Sequence, residues 1–214
     1  MHIVQINYQD MLGGAEYVAL TLHHRLQQQG HNANLYVGKK SIEDETIQDI
    51  DPDKDNDVLT QVLINQALKL EGVKKNLLTH YGSKLFRAIA RPCAFARWFR
   101  GEEEFNFKKT KNIITEDKHL PDLFHLHNLH GNYFNLKLLP TFCNKRPVNL
   151  TLHDEWMYTG HCGYSSNCNR WQTGCGECPD LEAYPAIRVD NTRHNLKVKK
   201  NIYQQTIFNT KLPF

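Results

Sequence analysis

Hydrophobic and polar positions alternate at the start of the chain and then follow a helical period, which predicts a β-α-β unit. Residues 2–6 alternate and carry β-branched side chains, as a strand does. After Gly13-Gly14, apolar residues recur at helical spacing until Gly30, a residue that tolerates the positive φ that ends a helix: Ala15, Val18, Ala19, Leu22 and Leu26. Residues 33–38 form a second strand. Short connections between these elements predict parallel strands joined by a right-handed crossover.

The same order of elements returns in the second half of the chain. Residues 121–128 and 146–154 are apolar runs typical of buried strands, and residues 133–142 between them fit a short helix. Repeated strand–helix–strand units predict an α/β fold with a doubly wound, mostly parallel, Rossmann-like sheet.

The middle of the chain is more polar. Residues 41–57 are acidic and predict a loop, whereas residues 58–70 have apolar residues at helical spacing. Residues 84–100 hold five basic side chains and no acid, interleaved with aromatic and aliphatic residues, and Pro92 should kink or split this helix. A basic amphipathic helix can lie on an anionic membrane surface. Packing on the sheet with solvated arginines is the favoured alternative, and the acidic run 102–104 would weaken attraction to lipid.

Composition and charge limit the classes to which the protein can belong. The chain has 214 residues, of which 40% are hydrophobic and 23% charged, so it can form an ordinary globular core. A net charge of +3 is too mild to indicate a nucleic-acid-binding protein, and we expect no nucleic-acid partner. The first residues lack the basic start and long apolar stretch of a signal peptide. We therefore expect a cytoplasmic protein with reduced thiols.

Candidate chemistry lies where the two later strands end. In doubly wound sheets, ligands bind at the carboxyl ends of the strands, which is where His127 and His153-Asp154 fall, with His130 in the loop beyond. Histidine titrates near neutrality and can donate to a phosphate or hydroxyl oxygen. The spacing of His125 and His127 points both rings to one face, but a metal there would need further ligands.

The glycine pair Gly13-Gly14 sits where the first helix begins. Free N–H groups and a partial positive charge at that point favour a phosphate, and glycine lets the phosphate approach the backbone. The pair matches neither a dinucleotide fingerprint nor a phosphate-binding loop with its lysine, so a simple tight turn is an equal alternative.

Four cysteines cluster in the glycine-rich segment 160–180. Cys162, Cys168, Cys175 and Cys178 have the spacing C-x5-C-x6-C-x2-C and lie beside His161. Four thiolates suit a closed structural zinc site, which a loop with little apolar content would need as a staple. Free or redox-active thiols and disulfides are the alternatives.

Several of these motifs together resemble bacterial family 4 glycosyltransferases, in particular those of exopolysaccharide or lipopolysaccharide assembly. The resemblance rests on Gly13-Gly14-Ala15-Glu16, on His125-Leu126-His127-Asn128, and above all on the run 153–162 followed by Trp171, Gly174-Cys175-Gly176 and Cys178-Pro179. It extends from residue 1 to about residue 207 and matches the amino-terminal half of that family.

The resemblance implies a GT-B fold, in which residues 1–207 form the acceptor-side domain, including the cysteine-rich loop. It implies a retaining transfer from a nucleotide-sugar to a glycan or lipid-linked acceptor, without a metal or other cofactor for chemistry. By motif position, Gly13 and Gly14 would approach the donor phosphates and His153 would lie near the transferred sugar, with Asp154 beside it. His127 and His130 would line the acceptor side.

The sequence ends at Phe214, and residues 208–214 read as the truncated start of a link to a carboxy-terminal, donor-binding domain. We expect that domain to come from the same or another polypeptide, and we expect no sugar transfer by these 214 residues alone. Peripheral contact with the inner face of the membrane would run through residues 84–100. The alternative is a non-catalytic glycan-binding domain or a remnant of one.

Overall fold

A computed structural model describes residues 1–51, 58–72, 77–115 and 120–206, and these fold around one parallel sheet. Its five strands within those ranges are β1 (His2–Gln9), β2 (Asn32–Lys39), β3 (Ile47–Asp49), β4 (Leu123–Leu126) and β5 (Val148–Leu150). Every neighbouring pair is parallel, in the order β3-β2-β1-β4-β5. The chain fills one side of β1 first and then crosses to β4, so the order reverses between β1 and β4. This arrangement confirms the predicted doubly wound α/β fold.

Helices connect and flank the strands. They are α1 (Gly14–Gln28), α2 (Val58–Gly72), α3 (Leu77–Ala90), α4 (Pro92–Phe99), α5 (Lys109–Thr115), α6 (Leu139–Lys145), α7 (Arg170–Thr173) and α8 (Thr192–Gln204). Short 3-10 turns lie at Leu136–Leu138 and Trp156–Tyr158. Gly30 follows α1 with φ +81°, as its predicted role in ending that helix requires.

The two faces of the sheet bury different clusters. Val4 and Ile6 of β1 point into the larger core together with Phe124 and Leu126 of β4, all four with no more than traces of exposed surface. On the opposite face Leu35, Val37 and Ile47 pack against Leu20 of α1. Because side chains alternate along a strand, Gln5 faces α1 rather than the larger core, and its side chain reaches the Ala19 carbonyl.

The structure differs from the sequence prediction in three elements. The short strand β3 lies inside the predicted loop 41–57, of which residues 52–57 lie outside the described residues. It pairs with β2 over only three residues at the edge of the sheet. A strand this short contains no apolar run from which the sequence could predict it. β5 is three residues long, and the predicted helix 133–142 begins with an irregular stretch and a 3-10 turn. The predicted link 208–214 also lies outside the described residues.

The predicted break at Pro92 is confirmed. α3 ends at Ala90, and Arg91 leaves the helical conformation with φ −140° and ψ 72°. Pro92 occupies the first turn of α4, where a backbone N–H would have no helical acceptor. α2 and α3 pack side by side, and α4 follows them. In the parts of the chain that the structure describes, none of the helices has the length and apolar character needed to cross a membrane.

Candidate functional site

Three histidines form a layer at the carboxyl ends of β4 and β5. His127 directly follows β4, and its Nδ1 lies 2.9 Å from Nε2 of His153, which comes just after β5. The His127 ring stacks on His125, with ring centroids 4.3 Å apart, and it meets the His153 ring edge to edge, with centroids 5.2 Å apart and planes 22° apart. The predicted convergence of strand-end histidines is therefore present in the structure, and His125 and His127 share one face as their spacing predicts.

Burial favours the neutral form of the three imidazoles, because it lowers the pKa of each. His127 is 1% exposed, and burial, together with the neighbouring His125 and His153, lowers its pKa to about 3. Burial also lowers the pKa of His153, although the carboxylates of Asp154 and Glu16 act in the opposite direction. Each neutral imidazole has one N–H donor and one acceptor nitrogen, so the contacts between the rings have a direction.

A second contact joins the loops that follow β4 and β5. Nε2 of His130 lies 2.7 Å from Oδ2 of Asp154, and the other carboxylate oxygen accepts a 3.0 Å hydrogen bond from the backbone N–H of Trp156. The His130 ring also makes edge contacts with Trp156 and Tyr184. The contact brings the two predicted site loops together, but it does not meet hydrogen-bond geometry, and both ring nitrogens of His130 are buried without a hydrogen-bond partner.

The glycine corner at the start of α1 contains a carboxylate. Gly13 is the N-cap and Gly14 the first helical residue. The Glu16 side chain folds back so that a Cβ at Gly13 would collide with its carboxylate, and Glu16 is only 6% exposed. A negative charge at this helix end is favourable, because the end carries partial positive charge. The Glu16 carboxylate therefore lies beside Gly13, close to where the sequence suggested a phosphate.

A cavity of about 830 Å³ opens beside the strand ends. Tyr8, His130 and Gly131 line it from the sheet side, and residues of α3 and α4 line it from the other. Its wall combines aromatic rings with both acidic and basic side chains: Phe95, Trp98, Tyr133, Trp156, Tyr184, Lys39, Lys84, Arg87, Arg91, Arg188, Asp51, Glu71, Glu102, Glu103 and Glu104. Its volume is in the range of ordinary small-molecule sites.

Two glycines let aromatic rings form the sheet-side wall of this cavity. A Cβ at Gly38, near the end of β2, would lie 2.5 Å from the Tyr133 ring. A Cβ at Gly131, where φ is +101°, would collide with the Tyr8 ring. Side chains at either position would therefore displace the rings that shape the cavity.

Most charges in the basic segment 84–100 are paired. Arg87 donates two 3.0 Å hydrogen bonds to Glu71 of α2. Arg97 and Arg100 donate to acids of the 102–104 run, at 2.6 and 2.7 Å. The side chains of this segment that remain exposed are largely apolar: Leu85, Ile89, Trp98 and Phe99. The surface is therefore closer to electrically neutral than the sequence of the segment suggests.

In the cysteine-rich loop, one thiol lies next to the ring of His161. Nδ1 of His161 lies 2.9 Å from the Pro185 carbonyl, so it donates there, and the acceptor nitrogen Nε2 faces Sγ of Cys178 at 3.4 Å. All six cysteines are free. Burial raises the pKa of Cys162, Cys175 and Cys178, which favours protonated thiols over thiolates.

The zinc site predicted at Cys162, Cys168, Cys175 and Cys178 is not supported. Among residues 1–51, 58–72, 77–115 and 120–206, no group of three or more histidine, cysteine, aspartate or glutamate side chains is arranged to hold a metal ion. Zinc binds cysteine as the thiolate, so binding here would release the thiol protons. Of the alternatives left open by the sequence, the structure shows free, half-buried thiols.

Sequence reasoning assigned no role to Gln5 and Glu16, which both lie in this site. Gln5 is fully buried and its Nε2 lies 3.3 Å from Nε2 of His127. A glutamine inside an alternating strand was the available signal, because buried amides need partners. For Glu16 the signal was its position three residues after the N-cap, where an acidic side chain can return to the helix end.

Comparison with known proteins supplies one informative similarity. The chain is 29% identical over 219 residues to the Escherichia coli (strain K12) protein named "Putative colanic acid biosynthesis glycosyl transferase WcaC", and the match covers 97% of this chain. No family model matches the chain, and no solved structure matches it significantly. The match covers 46% of the relative, so the chain spans about half the length of the glycosyl transferase that it resembles.

Proposed function

We propose that the chain forms the acceptor-side part of a glycosyltransferase acting in polysaccharide biosynthesis. The proposed reaction moves a sugar from a nucleotide-sugar to a glycan or lipid-linked acceptor. Two facts support it: the similarity to a protein named as a glycosyl transferase over 97% of this chain, and the clustering of polar groups where the strand order reverses. The observation that carries the proposal is the convergence of the Gly13 corner, His153 and the His130–Asp154 pair at that edge of the sheet.

In this proposal the cavity receives the acceptor. Its aromatic rings can pack on the faces of sugar rings, and its mixed charges can hydrogen-bond hydroxyl groups. His130 lines the cavity, and its Nε2 lies 2.7 Å from the Asp154 carboxylate. His127, which the resemblance placed on the acceptor side, is 1% exposed, so we assign it a role through His153 rather than a direct contact.

The donor would lie at the glycine corner. When a nucleoside diphosphate leaves, negative charge grows on its terminal phosphate, and the N-terminus of α1 at Gly14 can stabilise that charge. The Glu16 carboxylate repels a phosphate from the same place. We therefore propose that Glu16 moves on donor binding and that compensating cations come from a second, donor-binding domain, as in a GT-B enzyme of family 4.

His153 would hydrogen-bond the transferred sugar or the leaving phosphate. It is half-buried at the strand end, and Asp154 and Glu16 lie close enough to affect its pKa. We propose a retaining transfer whose chemistry uses no metal, with Asp154 acting by orienting His130 rather than by binding an ion.

Membrane contact through residues 84–100 is a further part of the proposal. Since Arg87, Arg97 and Arg100 are paired with acids, the attraction would come mainly from exposed apolar side chains such as Ile89 and Phe99. Sedimentation with neutral and anionic vesicles tests this: we expect similar binding to both. Binding that requires anionic lipid would contradict the apolar mode, and binding to neither would remove membrane contact from the proposal.

The alternative function is a domain that binds glycans without catalysing transfer. The cavity supports this alternative, because its aromatic and charged lining can bind a glycan whether or not a transfer follows. Binding of acceptor glycans without any dependence on His153 would indicate this alternative.

Transfer of a radiolabelled sugar from a panel of nucleotide-sugars to lipid-linked acceptors tests the proposed function. The enzyme is the full polypeptide, supplied with its donor-binding domain where that is separate. His153→Ala should reduce turnover at least about a hundredfold, whereas His194→Ala, an exposed histidine of α8, should not change it. Equal turnover in both variants would refute the role of His153.

A further inference from the structure

The buried amide of Gln5 has a defined orientation. Its Nε2 lies 3.3 Å from the carbonyl oxygen of Ala19 and 3.3 Å from Nε2 of His127. A carbonyl oxygen only accepts hydrogen bonds, so the reversed amide would bring two oxygens together. The amide nitrogen of Gln5 is therefore the group at this position, and it donates to both Ala19 and His127.

This orientation determines where His127 carries its proton. Nε2 of His127 accepts from Gln5, so in the neutral ring the hydrogen must be on Nδ1. Nδ1 in turn lies 2.9 Å from Nε2 of His153 and donates to it. His153 then accepts at Nε2 and carries its own hydrogen on Nδ1.

The surroundings of the two rings favour these neutral forms. His127 is 1% exposed, stacks on His125 and meets the nearly coplanar His153 ring edge to edge. A proton added to the layer would be buried beside two further imidazoles. The carboxylates of Glu16 and Asp154 face His153, but burial outweighs their effect on its pKa.

We propose that Gln5 and His127 are positioning residues that present His153 as a neutral hydrogen-bond donor through Nδ1. In this form Nδ1 cannot take a proton from an acceptor hydroxyl, so His153 is not a general base at that atom. It offers an N–H to an acceptor oxygen, such as that of a sugar hydroxyl or a phosphate. The nature of that oxygen rests on the proposed function, whereas the tautomer does not.

Nuclear magnetic resonance of the full polypeptide, labelled with ¹⁵N at histidine, tests the tautomer directly. Long-range ¹H–¹⁵N correlations distinguish a protonated ring nitrogen from an unprotonated one, and His153→Asn assigns the signal by its loss. We expect the Nδ1–H form of His153 and the Nδ1–H form of His127. A dominant Nε2–H form of His153 would overturn the inference.

Variants separate positioning from general structural support. Gln5→Met and His127→Leu remove the two donors, so the His153 signal should shift towards a mixture of tautomers and kcat should fall at least about tenfold. His127→Asn keeps an amide N–H where Nδ1 stood and should retain the Nδ1–H form. His125→Asn removes a stacked ring that makes no hydrogen bond to His127, and should leave the His153 tautomer unchanged.

The two proposals fail in different ways. A fixed Nδ1–H tautomer that persists in both Gln5→Met and His127→Leu would show that these residues do not set it, whatever the enzyme does. The expected tautomers in a polypeptide that transfers no sugar to any acceptor would leave this inference standing and refute the proposed function.

Discussion

Nζ of Lys199 lies 3.0 Å from Oε1 of Glu103, with the ammonium group fully buried 3.7 Å from the centre of the Trp156 ring. The ammonium also donates to the carbonyls of Trp156 and Thr159, and the indole N–H of Trp156 donates to the same glutamate oxygen. α8 is thereby joined to the loop after β5. The position of the Asp154 loop therefore depends on a buried ion pair distant in sequence.

Removing this cation should destabilise the fold strongly. Lys199→Met leaves the Glu103 carboxylate buried without its charge partner, and such losses cost about 3–5 kcal/mol. Urea unfolding measures the free energy of unfolding. Lys197→Met, an exposed lysine on the same helix, is the control and should change it by less than about 0.5 kcal/mol.

The double variant Lys199→Met/Glu103→Gln distinguishes charge burial from lost packing. Because it removes both charges, it should recover part of the stability that Lys199→Met loses. If Lys199→Met unfolds at the same urea concentration as the wild type, the ion pair contributes nothing and the argument is wrong.

Stability should fall as the pH falls, with His127 contributing to the slope. Its pKa in the folded protein is about 3, below its ordinary value of 6.5, so the unfolded chain binds a proton that the folded one does not. The contribution is complete above pH 6.5 and is lost progressively down to pH 3. Between pH 7 and pH 5 the protonation of His127 in the unfolded chain lowers the free energy of unfolding by about 2 kcal/mol.

The measurement compares unfolding free energies at pH 5, 6 and 7 in the wild type and in His127→Asn. The pKa of His23, His125 and His153 is also lowered by burial, so the variant keeps some dependence on pH. We expect a shallower slope in the variant. Equal slopes would show that His127 is protonated in the folded protein near its ordinary pKa.

The order of strands and helices could be predicted because its signals are local. Alternation in β1, the helical period after Gly14 and the break at Pro92 all reflect the conformations that short segments prefer. β3 could not be predicted, because an edge strand of three residues needs no apolar run, and its stability comes from pairing with β2.

The sequence predicted where the candidate site lies but not which side chains contact one another there. The topology brings strand ends to one edge, so His127 and His153 were expected together. The partners of each ring depend on side-chain orientation, which the sequence does not specify: the burial of His127 and the return of Glu16 to Gly13 emerge only from packing. The cysteine spacing suggested zinc because C-x2-C is common in such sites, whereas no group of side chains arranged to hold a metal is found among the described residues.

Thiol reactivity should separate Cys93 from the cysteine-rich loop. Cys93 is exposed on α4, whereas burial raises the pKa of Cys162, Cys175 and Cys178 and so lowers their reactive thiolate fraction. A colorimetric disulfide reagent at pH 7.5 should therefore modify Cys93 at least about tenfold faster, with mass spectrometry identifying the site. Cys93→Ser should remove the fast phase.

A chelator distinguishes protected thiols from metal-bound ones. Free, half-buried thiols should react at the same slow rate with or without it, and all six should react after denaturation. Acceleration of the slow phase by the chelator, with release of metal, would restore the zinc prediction and contradict the interpretation of free thiols.

The two glycines of the corner should respond differently to the same substitution. Apart from its chain neighbours and the backbone of its own helix, no described atom lies within 4 Å of a Cβ built at Gly14. Alanine also favours the helix there, so Gly14→Ala should be neutral or stabilise by up to about 1 kcal/mol. In Gly13→Ala the new methyl meets the Glu16 carboxylate, which is the end of a flexible side chain and must move aside, so the variant should lose no more than about 1 kcal/mol. Thermal unfolding of both variants checks these signs.

The same pair tests whether a donor phosphate approaches the corner. If it contacts the backbone at the start of α1, the methyl of Gly14→Ala blocks it and should raise KM for the nucleotide-sugar about tenfold without loss of stability. Glu16→Gln removes the competing negative charge and should lower the same KM, because a phosphate then meets no carboxylate at the helix end. Unchanged KM in both variants would place the donor elsewhere and leave Gly13-Gly14 as a tight turn that accommodates Glu16.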